Sequence, residues 1–381
     1  MRTGLYFGAG PAALATSVIE KAAAEFIDYE NVGVGLGEMS HRSSQATEIV
    51  NTARAQIKQL LNVPDTHDIL FIQGGGTGGF ASCLYALAAY KLAKAGPEAS
   101  AEAQQLQGDY IVTGSWSNKA HAEAQRLGFK SEIIGKPAKY TEIPPLSESR
   151  GDFVYYCDNE TVHGVEFPGA KTTPPVEKDL VVCDISSNMF SRPIDVAKYA
   201  IIFGGAQKNL GIPGVSLYIV RKDILEAQQQ VKPAQLQAAG IPVAPSFLDL
   251  GLGAQNNSSY NTVSIFAIEV IKLVTAETLA KGGIASQAEL ANKKAKLLYK
   301  AVDARQDVFV TSVKPEARSR MNVVFNLKNP EAEAKFLKEA AAKNVSGIKG
   351  HRSVGGIRIS NYNAITLPAV ELLVEFINNF K

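Results

Sequence analysis

Cysteine, tryptophan and histidine are scarce in this 381-residue chain: three, one and five residues. Cys83, Cys157 and Cys183 cannot build a disulfide framework, so they read as reduced core thiols of an intracellular protein. No run approaches the roughly 20 apolar residues that span a bilayer. Residues 1–8 hold no apolar segment of a secretory signal and are not Ser/Arg-rich like a transit peptide. The expected compartment is the cytoplasm. The net charge is only +2, from 39 basic and 37 acidic residues, which gives no electrostatic case for nucleic acid or an anionic membrane as partner. Internal repeats are also lacking. The Ala-, Glu- and Gln-rich stretch 93–107, broken at Gly96-Pro97, reads as a surface excursion with a short helix after the break.

What is present is core. Hydrophobic residues make up 46% and charged residues 20%, which excludes disorder as the main state. The length suits one large domain and one small one. From residue 45 to residue 220 the rhythm is strand, loop, helix. Short apolar runs at 69–72, 110–112, 153–156, 180–183, 200–203 and 215–220 look like strands buried on both faces. Helical periods lie between them, at 49–61, 80–94 and 118–127. They predict a mostly parallel sheet covered by helices. After about residue 262 the texture changes to long helices at 265–279 and 285–302, strands near 323–325 and 357–359, and a final helix at 368–378. The expected division is a large α/β domain, 15–262, and a smaller α+β domain formed by 1–14 and 263–381.

Three segments carry possible chemistry. Gly74-Gly75-Gly76-Thr77-Gly78-Gly79 follows a strand and precedes a helix, where free N–H groups and the helix dipole suit a phosphate. A tight strand-to-helix turn explains the same residues. No Gly-Lys-Ser/Thr follows, so this is not a P-loop, and the match to a dinucleotide fingerprint is poor. Asp184 ends the apolar strand 180–183, where open α/β sheets bind ligands, though an isolated Asp is more often a cap or turn residue. Lys208 lies among small residues just past the strand 200–203, an unusual place for a lysine unless it is simply solvated. Together a phosphate cup, a Schiff-base amine and a carboxylate for a pyridinium nitrogen describe a pyridoxal phosphate site. Trp116, following the strand 110–112, is the candidate stacking partner, with core packing as its plain alternative.

The lysine segment, Ser191-Arg192-Pro193-Ile194-Asp195 followed by Gly205-Ala206-Gln207-Lys208-Asn209, resembles that of the phosphoserine aminotransferase family, within the fold-type I, class V enzymes. Gly10-Pro11-Ala12, Ser40-His41-Arg42, Asn159-Glu160-Thr161, Tyr260-Asn261-Thr262 and the segment 350–358 (Gly-His-Arg-Ser-Val-Gly-Gly-Ile-Arg) follow in the family's order. The resemblance implies that Lys208 carries the Schiff base, Asp184 pairs with the ring nitrogen, Trp116 stacks and Thr161 reaches the ring hydroxyl side. It implies that Gly76, Thr77 and Gln207 hold the cofactor phosphate, joined by Asn261 and Thr262 of a neighbouring subunit in a homodimer. Arg358 would take the α-carboxylate. His41, Arg42, His351 and Arg352 would take the distal phosphate or carboxylate, and a dianion does require such a donor cluster. No metal is implied. Two departures stand out: many bacterial members have arginine at the position of Thr77, and serine is frequent at that of Ala9. The expected reaction exchanges an amino group between glutamate and 3-phosphohydroxypyruvate in serine biosynthesis. A cysteine desulfurase is disfavoured because no cysteine follows Cys183. An alanine–glyoxylate enzyme has no use for two His-Arg pairs. A phosphate-binding module without chemistry leaves Asp184 and Lys208 unexplained.

Overall fold

Successive side chains of a strand point to opposite faces, so an apolar run without polar alternation has to be covered twice. The computed structural model, which describes residues 4–96, 99–169 and 173–381 (backbone alone at 101 and 102), resolves the runs in that way. Among the described residues, seven strands form the main sheet. They are β1 (His67–Ile72), β2 (Gln107–Ile111), β3 (Lys130–Gly135), β4 (Phe153–Cys157), β5 (Val181–Asp184), β6 (Ile201–Gly205) and β7 (Ser216–Arg221). Their order is β1-β7-β6-β5-β4-β2-β3. β7 is antiparallel to both neighbours, and the remaining pairs are parallel. Asp184 lies in register with Cys157 on one side and Phe203 on the other, so the carboxyl ends of β4, β5 and β6 share one edge.

Helices cover both faces. On one face α1 (Ser44–Leu61) brings Ile49, Ala53 and Ile57 against Val181, Cys183 and Ile202. On the other, α2 (Gly75–Ala95) brings Leu84, Leu87 and Ala88 against Val182, Phe203 and Tyr218. The helix α3 (Ser115–Arg126) follows β2. Two of these helices start earlier than the apolar period predicts, at Gly75 rather than 80 and at Ser115 rather than 118. Their first turns hold glycine, serine and threonine, which carry no periodic apolar signal. The glycine segment is therefore itself the first turn of α2, and Trp116 sits on the first turn of α3. Pro97 of the expected break lies outside the described residues, and a four-residue helix, Ala101–Gln104, follows it.

Beyond the sheet, α4 (Ile265–Ala280) puts Ile265, Ile268 and Ile271 into the first core and Val270 and Leu273 against Val18 and Ala22 of the helix Thr16–Ile27. Packed from two sides, it shows little amphipathic contrast. α5 (Gly283–Ala304) gives Ile284 to the large core and Leu298, Ala301 and Val302 to a separate one. The packing thus changes from one core to the other within α5, later than the expected boundary near 262. The second core lies under an antiparallel sheet of β8 (Phe309–Val310), β9 (Asn322–Leu327) and β10 (Ile357–Ser360), with Phe336 and, from α6 (Leu367–Asn379), Val370 and Phe376. The N-terminal segment joins it: Leu5–Tyr6 pairs with Val345–Ser346, and Phe7 is buried there.

A buried polar web fastens the two cores together. Asn159 Nδ2 donates to Asn322 Oδ1 at 2.8 Å, and Asn322 Nδ2 donates to Ser360 Oγ at 3.1 Å. Arg320 lies between the cores, with Nη2 2.6 Å from Glu166 Oε1. With its partners in place, this web is fully satisfied where an unpaired member would be expensive. It fixes the ribbon that carries residues 159–166.

Candidate active site

Lys208 follows β6 and is 7% exposed. Its stem runs beneath the N-terminal turn: a Cβ added at Gly10, whose φ is +133°, would lie 3.3 Å from Lys208 Cγ. Only glycine allows that backbone so close. Nζ donates to Thr161 Oγ1 at 2.7 Å and stands 5.7 Å from the centroid of the Trp116 ring. Lys208, Thr161 and Trp116 therefore meet, although they come from three separate stretches of chain.

Asp184 ends β5 and is almost fully buried. Burial raises its carboxyl above the usual range, opposed by hydrogen bonds from Ser186 and by the charge of Lys208. Oδ1 accepts from Ser186 N at 2.8 Å and from Ser186 Oγ at 2.5 Å. Oδ2 makes no hydrogen bond among the described residues and is not sealed away. A carboxylate with one oxygen committed and one open is oriented for a cationic N–H. Gly205 N donates to the same Ser186 hydroxyl at 3.1 Å, which ties Asp184 to the strand that leads to Lys208.

The phosphate end is built by α2. Gly78 N bonds back to Gly74 O at 2.9 Å, so the N–H groups of Gly75, Gly76 and Thr77 have no helical acceptor. Gly74 and Gly75 have φ of +124° and +60°. Gln207 folds over Gly205, where an added Cβ would come within 2.4 Å of its Oε1. Asn261 hydrogen-bonds the side chain of Gln73, just before this turn, and Gln73 Nε2 donates to Thr262 O at 3.1 Å. Two more buried donors, Trp116 Nε1 and Thr113 Oγ1 at the turn that carries Trp116, have no partner among the described residues. Buried polar atoms are nearly always paired, so orphans gathered around an amine mark a ligand's place. The donor set suits pyridoxal phosphate: amine, open carboxylate, flat ring and free helix N–H groups.

A basic group lies beside it. His351 is held below its usual pKa by burial and by the charges of Arg358, Arg352 and Lys119. Its Nδ1 is 2.7 Å from Ser353 Oγ. Lys119 Nζ stands 4.4 Å from the Trp116 ring centroid. Arg358 is lowered mainly by burial, and its Nε is buried without a partner. Among the described residues no carboxylate comes within ion-pair distance of Lys119, His351, Arg352 or Arg358. His41 and Arg42 are not among the groups acting on His351. They lie just before α1, where His41 Nε2 is buried without a partner and Arg42 is exposed.

Comparison with known proteins decides the family. The model of the class-V aminotransferases matches residues 5–373. Phosphoserine aminotransferase of Saccharomyces cerevisiae is 43% identical, over 98% of this chain and 96% of the relative. The chain belongs to the phosphoserine aminotransferase family, within the class-V aminotransferases. The Geobacillus kaustophilus relative is 38% identical, over 100% of this chain and 99% of its own. Among solved structures, pyridoxal-phosphate-bound phosphoserine aminotransferase from Trichomonas vaginalis superposes with a TM-score of 0.85 at 36% identity, covering 98% of this chain and 99% of that one. An alanine–glyoxylate aminotransferase from Nostoc, 14% identical with a TM-score of 0.73, shares the fold.

For this class-V aminotransferase, two supporting residues escape a sequence reading. Glu160, fully buried, accepts from Trp116 N at 3.0 Å, Ser117 N at 2.8 Å and Ser117 Oγ at 2.6 Å. Its carboxylate satisfies the first turn of α3 and so places the ring of Trp116. Its signal was the quoted Asn-Glu-Thr segment, but the partner lies 43 or 44 residues away. Thr113, two residues past β2, had no sequence signal apart from that position.

Proposed function

We propose that this pyridoxal-phosphate-dependent transaminase interconverts glutamate and 3-phosphohydroxypyruvate with 2-oxoglutarate and O-phosphoserine. The carrying observation is the group Lys119, His351, Arg352 and Arg358, four basic side chains with no acid among them beside the Lys208 amine. Lys119 and Arg352 are exposed while His351 and Arg358 are half-buried, and such a cluster of one sign attracts an anionic ligand. Bound cofactor supplies an electron sink for charge developing at the substrate α-carbon. Asp184 Oδ2 holds the proton on the ring nitrogen. Lys208, freed by substrate, would take the α-proton and deliver it across the transferred nitrogen to the cofactor carbon on its other side. Thr161 fixes the amine until then, and Trp116 keeps the ring flat against the site. Arg358 binds the α-carboxylate as a fork, while His351 and Arg352 bind the distal anion.

The reading includes a homodimer in which a second protomer contributes His41 and Arg42 at the distal anion, and Asn261 and Thr262, exposed and resting on Gln73 of their own chain, at the phosphate. It is supported by the exposure of Phe26, Ile27, Val32 and Val34, large apolar groups close in sequence to His41. It also places the enzyme in the cytoplasm, in keeping with three buried thiols. No helix among the described residues is long and apolar enough to cross a membrane. Burial pushes all three thiols well up, which disfavours the desulfurase alternative.

The test is the visible absorbance of the holoenzyme with O-phosphoserine or alanine. Conversion of the cofactor band by phosphoserine and not by alanine is expected. Equal conversion by alanine would refute the assignment of the distal pocket.

A further inference from the structure

His163 belongs to none of the roles above. It lies in the turn between the paired segments Asn159–Glu160 and Val165–Glu166, two residues after the Thr161 that holds Lys208 Nζ. Gly164, at φ +70°, completes the turn, and an added Cβ there would lie 2.6 Å from Asn322 O. The turn is thus packed closely against β9. The imidazole packs edge-on to Tyr140, with ring centroids 4.7 Å apart and planes at 62°. Its rotamer is fixed by that contact. Among the described residues Nδ1 is buried with no partner, whereas Nε2 is not sealed away and makes no hydrogen bond. Burial, and to a lesser degree the nearby charge of His351, together lower its pKa to about 4. The ring is therefore neutral in the working range and shares a neighbourhood with His351.

A neutral imidazole carries one N–H and one lone pair. Leaving a buried N–H unpaired is rarer than leaving an acceptor so, which puts the lone pair on Nδ1 and the proton on Nε2. An anion held by His351 and Arg352 would give it an acceptor.

We propose that His163 is a specificity-determining residue for the distal phosphate, donating its Nε2–H to a phosphate oxygen beside His351. This rests on the phosphoserine reading of the site. A phosphate offers three terminal oxygens and nearly two charges, so it can occupy His351, Arg352 and a further donor at once. The side-chain carboxylate of glutamate has two oxygens and one charge, and the arginine fork takes both. The extra donor thus favours the phosphorylated substrate over glutamate.

The experiment uses holoenzyme carrying His163→Phe, His163→Met or His163→Gln. Phe keeps the ring contact with Tyr140 without a donor, Met fills the volume without one, and Gln keeps an N–H near the place of Nε2. The KM for O-phosphoserine, the KM for glutamate and the inhibition constant of inorganic phosphate are measured. A hydrogen bond to a charged group predicts a rise of about 10- to 100-fold in the phosphoserine and phosphate constants for Phe and Met. The glutamate KM and both kcat values should stay within about threefold. Gln should recover most of the loss. If the phosphoserine and glutamate constants rise together, or neither moves, while wild type still prefers phosphoserine to alanine, this role for His163 is refuted and the function stands. If wild type shows no such preference, both are overturned.

Discussion

Replacing Glu160 by alanine tests whether the stacking residue is held by a carboxylate buried on another segment. The side chain accepts three hydrogen bonds at 2.6–3.0 Å, two from backbone N–H groups of the first turn of α3. Bonds to an ionised acceptor contribute roughly 1.5–3 kcal/mol each before desolvation is charged against them. Burial is the largest influence on Glu160 and raises its carboxyl above the usual range, so part of that gain is already lost in the native protein. Removing it strands two buried N–H groups and opens a gap beside Gly114, which now sits so close that an added Cβ would meet Glu160 Cδ at 2.4 Å. A net loss of about 3–4 kcal/mol is expected. At about 2.1 cal/mol/K per residue, the unfolding entropy of a chain this long converts that into a fall in Tm of about 4–5 °C. Calorimetry of the holoenzyme reads it. Glu160→Gln keeps the acceptor towards Ser117 but turns an N–H towards Trp116 N, so it should fall between wild type and alanine. Weaker cofactor retention on dialysis should follow the same order. If both variants melt and retain cofactor like wild type, the carboxylate does not hold the turn and the argument fails.

Three further outcomes are expected. Lys208→Ala should abolish transamination and the visible band of the bound cofactor while leaving Tm of the apoprotein within about 2 °C, since among the described residues Nζ has only Thr161 as a hydrogen-bond partner; an active variant would displace Lys208 from its role. Lys294 is buried, donates to Tyr362 O at 2.9 Å and Ile365 O at 2.7 Å, and is pulled down to about 7 by burial. Because the folded pKa is depressed, the unfolded chain binds more protons between about pH 7 and pH 10, so stability relative to Lys294→Met should rise with pH there, by up to about 1.4 kcal/mol per unit; a flat difference in chemical denaturation from pH 7 to pH 9 would contradict it. Gly79→Ala would place a methyl 2.2 Å from the Phe203 ring, and a loss of about 1–3 kcal/mol is expected in urea unfolding, with no change refuting the close packing of α2 on β6.

The main sheet was readable because its strands are covered on both faces. The stretch Val181-Val182-Cys183 has no polar alternation, and each residue is fully buried. The amine and carboxylate were readable for a related reason, since Lys208 and Asp184 are charges placed where a buried strand ends. The starts of α2 and α3 were not, because glycine and serine turns carry no apolar period. α4 reads as the start of a second domain, yet its apolar sides are divided between the first core and the helix Thr16–Ile27. A linear pattern shows that a helix is apolar but not which neighbours share it. The same limit hid Glu160 and His163. Each acts on residues distant in sequence, through contacts that only the closed ribbon at 159–166 brings about.

A chain with one tryptophan, placed on the first turn of α3 with the Lys208 amine 5.7 Å from its ring centroid, has a fluorophore with a single address. Emission excited at the indole comes from the wall of the cofactor site and from nowhere else in the protomer. Cofactor loading and substrate arrival therefore report on one optical channel, without a label. The protein carries its own gauge at the point where its chemistry takes place.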